Sequence, residues 1–147
     1  MQRALNSLRP LHTDTPQRQR PRCLAVAVEA ACRLLAAAAG PEALERPHPL
    51  PPSSRVLVFA GGPITRGPGS IPLDLVDGAD RPGMSAKDTL AVVTEAREHC
   101  AALARMAASL GVGIDVMLGG ELAANVPLLS LLCKHSAGGE LWGHARW

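Results

Sequence analysis

Apolar residues along this chain switch between two spacings. From Cys23, the residues Leu24, Val28, Ala31 and Leu35 recur at helical intervals, while Glu29 and Arg33 form a pair four apart on the opposite side. Gly40-Pro41 supplies a helix stop. Residues 41–54 are crowded with proline (Pro41, Pro47, Pro49, Pro51, Pro52) and read as an irregular loop. Arg55 to Ala60 (R-V-L-V-F-A) is different: short, continuously apolar, partly β-branched and closed by Gly61-Gly62. That pattern predicts a central parallel strand covered on both faces. Residues 61–84 are rich in glycine and proline and predict no regular element. Ser85 and Asp88 make an S-x-x-D helix start. An apolar seam follows through Leu90, Val93, Ala96, Cys100, Leu103, Ala107 and Leu110, and Gly111 ends it. Val112 to Leu118 (V-G-I-D-V-M-L) predicts a second buried strand, and Asn125 to His135 a third amphipathic helix that stops before Gly138-Gly139. The order helix–strand–long helix–strand–helix predicts an α/β fold, a parallel sheet flanked by helices on both faces. Two strands are too few for a doubly wound sheet, so the pattern points to part of a larger domain.

Composition agrees with that reading. The chain has 147 residues and is 47% hydrophobic but only 2% aromatic (Phe59, Trp142 and Trp147), and 24 of its residues are alanine. Alanine buries little apolar area, so the core is expected to be thin. The formal charge is +2. Only residues 1–22 are locally basic, with Arg3, Arg9, Arg18, Arg20 and Arg22 against Asp14. They read as a flexible basic linker, with the end of a helix in residues 1–11. No aromatic residues interleave with these arginines, so nucleic acid is not an expected partner. No apolar run approaches the roughly 18 residues of a membrane span, and no hydrophobic leader is visible, which makes a cytoplasmic protein the expectation.

Candidate chemistry is sparse. Cys23, Cys32, Cys100 and Cys133 form no C-x-x-C pair, and the close cysteine–histidine neighbours are His99-Cys100 and Cys133 with His135. A tetrahedral metal site needs paired ligands at short spacing, so these read as free thiols. The strand followed by G-G-P-I-T-R-G-P-G (residues 61–69) invites a phosphate-binding reading, and with it the rival class of a small α/β nucleotide-binding or hydrolytic enzyme. Pro63 and Pro68 lack the N–H groups such a loop uses, and no G-K-S/T follows. Asp74, Asp77 and Asp80 lack the alternation of a calcium loop and read as solvated acids. Asp115, in mid-strand, reads as a carboxylate bonded to backbone or to a neighbouring loop. His12, His48, His99, His135 and His144 are scattered, and no G-x-S-x-G elbow is present. No catalytic, cofactor-binding or metal-ligating residue is predicted, and no cofactor for this segment.

The loop G-G-P-I-T-R-G-P-G behind the R-V-L-V-F-A strand resembles the trunk domain of the GTPase-activating subunit of the COPII inner coat (the Sec-twenty-three type). Three other stretches are similar to that family in order and distance. They are Arg22-Cys23 opening the helix to Leu35, Glu98 to Val116, and Leu128 to Gly139. The resemblance covers residues 23–139 as a partial trunk and leaves 140–147 as a divergent tail. It implies a von Willebrand A-like fold and a role in vesicle budding from the endoplasmic reticulum, peripheral to its membrane. It also implies two partners, the cargo-selecting sister subunit and a Sar-type small GTPase. The family's zinc finger has no counterpart here, and the arginine it inserts into the GTPase lies outside the trunk. E-L-W-G-H-A-R-W after Gly139 departs from the strand that the family carries there.

Overall fold

A computed structural model describes residues 21–40, 46–47, 49–51, 53–76, 83–120 and 124–143. Most of the predicted basic linker, together with Asp77, Asp80, His12, His48, His144 and Trp147, lies outside the described residues. Among the described residues seven elements follow one another: α1 (Leu24–Ala39), β1 (Arg55–Ala60), α2 (Leu73–Val76), α3 (Ala86–Ser109), β2 (Gly113–Leu118), α4 (Val126–Lys134) and β3 (Leu141–Gly143).

Local chemistry explains the helix boundaries. The Ser85 hydroxyl accepts from the Asp88 N–H at 3.1 Å while the Asp88 carboxylate accepts from the Ser85 N–H at 3.4 Å, a reciprocal cap that starts α3. Asn125 caps α4 by accepting from the Leu128 N–H at 3.1 Å. α1 runs one turn past Leu35 and ends at Gly40, whose φ of 84° is strained for any residue with a β-carbon. On its exposed flank Arg33 reaches Glu29 at 2.7 Å, the pairing expected at that spacing.

The sheet is three-stranded, parallel throughout, in the order β1-β2-β3. Val56, Val58 and Ala60 pair with Ile114, Val116 and Leu118, and Val116 pairs in turn with Leu141. These residues share one face. Beneath it lie α1, α3 and α4, which pack against one another and against the sheet. The core is formed there by Ile114, Val116, Leu128, Leu129, Leu132 and Cys100, all buried.

Three expectations need correction. Residues 61–84 do contain a regular element, the single turn α2, which Pro72 and Leu75 close with a hydrogen bond of 3.1 Å. The described residues hold three strands: Leu141–Gly143, read as part of a divergent tail, pairs with β2. And among the described residues the helices cover one face of the sheet only. Both crossovers, β1–α3–β2 and β2–α4–β3, step in the same direction, and right-handed connections then place both helices on the same side.

The cysteines behave as their burial dictates. Cys32, Cys100 and Cys133 are buried free thiols, and Cys23 is exposed. Burial pushes the Cys100 thiol from its usual 9.0 up to about 11. Burial also raises Cys32 and Cys133. The unfolded chain therefore loses the Cys100 proton first as pH climbs. The stabilisation linked to that thiol is complete below pH 9 and is lost as pH rises towards about 11. We expect the thermal midpoint to fall across that window by an amount worth about 2 kcal/mol, and Cys100→Ala to flatten the fall. In native protein at pH 8, a chromogenic disulfide reagent should titrate Cys23 quickly and the other three only after denaturation.

Candidate interaction surface

The glycine–proline loop is wedged into the fold by its own apolar residues. Ile64 and Ile71 are each 1% exposed and are joined by a hydrogen bond from the Ile71 N–H to the Ile64 carbonyl at 3.1 Å. Between them the chain doubles back through Gly67 and Gly69, with φ of 80° and 76°. A β-carbon at Gly69 would stand 3.2 Å from both the Cys100 sulfur and the His99 ring, so the loop seats directly on α3.

The loop also holds the start of α1. The Arg22 N–H donates to the Thr65 hydroxyl at 2.9 Å, and the Arg22 carbonyl accepts from the N–H groups of Thr65 and Arg66 at 3.1 and 3.2 Å. Two of the stretches that carry the family resemblance, Arg22-Cys23 and residues 61–69, are thus in direct contact. These bonds occupy part of the main chain that a phosphate-binding loop would use. The N–H groups of Thr65, Arg66, Ser70 and Ile71 are already satisfied by carbonyls, and Pro63 and Pro68 have none to give. Its buried isoleucines and its bonds to Arg22 make the loop a packing element between α1 and α3.

A groove of about 570 Å³ runs between the outer side of the loop and α3, with Glu95, Glu98 and His99 on its rim. A second, of about 470 Å³, lies between the start of α1 and the end of β1, beside Phe59.

The uncovered face of the sheet carries Arg55, Leu57 and Phe59 of β1, Asp115 and Met117 of β2, and Trp142 of β3. Leu57, Phe59 and Trp142 are 55%, 74% and 59% exposed, large apolar side chains with no covering layer among the described residues. Contiguous apolar surface of this kind marks a contact region.

Asp115 is the buried charge in that face. Its oxygens accept from one guanidinium nitrogen of Arg55 at 2.8 and 2.9 Å and from the Glu140 N–H at 2.8 Å. The expectation of a carboxylate bonded to backbone holds for Asp115, and the sequence pattern did not reveal Arg55 as its ion partner. The carboxylate ties both outer strands to the central one. Asp74 is exposed, and His99 and His135 lie apart, on α3 and at the end of α4. Among the described residues no three acidic, cysteine or histidine side chains gather as a metal ligand set, and no helix is long and apolar enough to cross a membrane.

No family model matches the chain. A relative does: the chain is similar to Protein transport protein SEC23 A of Arabidopsis thaliana, 32% identical over 133 residues that cover 90% of this chain and 14% of the relative.

Proposed function

We propose that this chain is a segment of the COPII inner-coat subunit of the GTPase-activating type. It would serve protein transport from the endoplasmic reticulum to the Golgi through protein–protein contacts. The similarity along 90% of the chain to a protein transport protein carries this reading. The bare sheet face supports it, because a surface of Leu57, Phe59 and Trp142 suits packing against further protein and offers no chemistry. The partners are the cargo-selecting sister subunit and a Sar-type small GTPase, met in the cytoplasm at the surface of the reticulum and its vesicles. The chain is no enzyme in this reading and holds no cofactor. The arginine that assists the GTPase belongs to another part of the coat subunit, so this segment does not speed hydrolysis.

The test is equilibrium binding of the purified chain to purified sister subunit and to purified GTPase, with GTP turnover followed in parallel. We expect saturable binding to the sister subunit and unchanged turnover. Failure of this chain, and of any longer polypeptide that contains it, to bind either protein overturns the reading. A saturable nucleotide affinity that Gly61→Val abolishes would replace it with the rival enzyme class.

A further inference from the structure

We propose that Arg55 is a positioning residue for β3: acting through the Asp115 carboxylate, it latches β3 to the sheet and couples the two outer strands across the central one. The entry to β3 departs from a regular ladder. In a parallel ladder each bonded residue spends both main-chain groups on the neighbouring main chain. At Glu140 the carbonyl does so, accepting from the Val116 N–H at 2.9 Å. The Glu140 N–H goes instead to a side chain, Oδ1 of Asp115, at 2.8 Å. Where that carboxylate stands therefore decides whether β3 is met at its first bond.

Arg55 sets that position. One guanidinium nitrogen, Nη1, donates to Oδ1 at 2.8 Å and to Oδ2 at 2.9 Å, so it spans both oxygens and fixes the plane of the carboxylate. The last torsion of an aspartate is broad, so its partners and not its own rotamer hold it in place. Oδ1 takes one bond from β1 and one from the residue that opens β3. The sequence clears the path between them. Gly113 is the β2 residue beside Arg55, and a β-carbon there would stand 3.6 Å from Nη1. The guanidinium crosses bare backbone to reach Asp115, two residues on.

Burial makes the arrangement depend on charge. Asp115 is 6% exposed, and further protein packed on the sheet would only bury it more. A buried carboxylate that loses its counterion is costly, and it turns towards water or draws water in. Either movement takes Oδ1 off the Glu140 N–H. β1 and β3 are not neighbours in the sheet, and the carboxylate joins them. Freeing Arg55 thus unlatches β3 while the ladder between β1 and β2 stays closed.

The experiment is amide hydrogen exchange by nuclear magnetic resonance on the 147-residue chain, beside the variants Arg55→Met, Arg55→Lys and Asp115→Ala. The Glu140 and Val116 amides report the contact between β2 and β3. The Gly113 and Gly119 amides, bonded to the Ser54 and Ala60 carbonyls, report the contact between β1 and β2. We expect Arg55→Met to speed exchange at Glu140 and Val116 at least tenfold more than at Gly113 and Gly119. The Glu140 amide proton should also move upfield as its charge-assisted bond is lost. Arg55→Lys should restore most of the protection, because a single nitrogen makes both bonds and an ammonium can do the same. In an Asp115→Ala background, Arg55→Met should add nothing to the difference. Arg55→Gln takes the place of Arg55→Met if that variant does not fold. Equal acceleration at all four amides makes Arg55 an ordinary stabilising residue and overturns the proposal. So does unchanged exchange at Glu140, a lysine that rescues nothing, or an Arg55→Met effect that persists in full without Asp115. The measurement involves no partner, so the reading as a coat segment stands or falls separately.

Discussion

Gly139→Ala should cost about 3–5 kcal/mol and release β3 from the sheet, a loss visible in urea unfolding followed by far-ultraviolet circular dichroism. Gly139 lies where the chain leaves α4 for β3, pressed against the backbone of β2. A β-carbon there would overlap the Ile114 carbonyl oxygen and stand 2.7 Å from the Ser136 hydroxyl. Neither neighbour can retreat. Ile114 is fully buried in the central strand. The Ser136 hydroxyl is held at both ends, accepting from the Ile114 N–H at 3.0 Å and donating to the Cys133 carbonyl at 2.9 Å. Gly138→Ala is the contrasting variant. Its neighbourhood is empty and only its φ of 79° is unfavourable, so its cost should be about 1 kcal/mol. Equal effects at the two positions would remove close approach as the reason for glycine at 139.

Ile64→Ala should cost about 3 kcal/mol, while Arg66→Ala in the same loop should change stability by less than about 0.5 kcal/mol. The contrast separates two accounts of the glycine–proline motif. If the loop bound an anion, its cation would matter and its aliphatic residue would serve only as filler. The structure has it the other way round: Ile64 is 1% exposed, and Arg66 points to solvent. Urea denaturation of both variants decides the matter, and a larger loss at Arg66 than at Ile64 would contradict the packing account.

What could be read from sequence follows the range over which each signal acts. α3 was legible because Ser85 and Asp88 bond to each other within one turn and the apolar seam repeats for 24 residues. β1 and β2 were legible because both are short apolar runs closed by glycine. β3 was not, since Leu141–Gly143 is too short to show a period. It becomes a strand through non-local bonds: Val116 donates its N–H to the Glu140 carbonyl at 2.9 Å, and Glu140 donates its own to Asp115. The single turn α2 hides among prolines for the same reason. The one-sided helix layer depends on strand order, which no local pattern encodes. Of the interaction surface, the sequence displayed the glycine–proline loop but misdirected attention towards its main chain. Its actual work became visible only once Arg22, Cys100 and His99 were brought beside it. The exposure of Leu57 and Phe59 was hidden because a run apolar at every position looks covered on both faces.

Because the sheet order β1-β2-β3 repeats the chain order, each strand joins at a free edge of what came before it. Among the described residues no strand has to enter between two that are already paired. These three strands can assemble by accretion, with α3 forming on its own local contacts between β1 and β2, and α4 and β3 closing on β2. β3 is three residues long, and beside its short ladder to β2 it is held by the Asp115 carboxylate at Glu140. β3 should therefore exchange its amide protons well before β1 and β2 part.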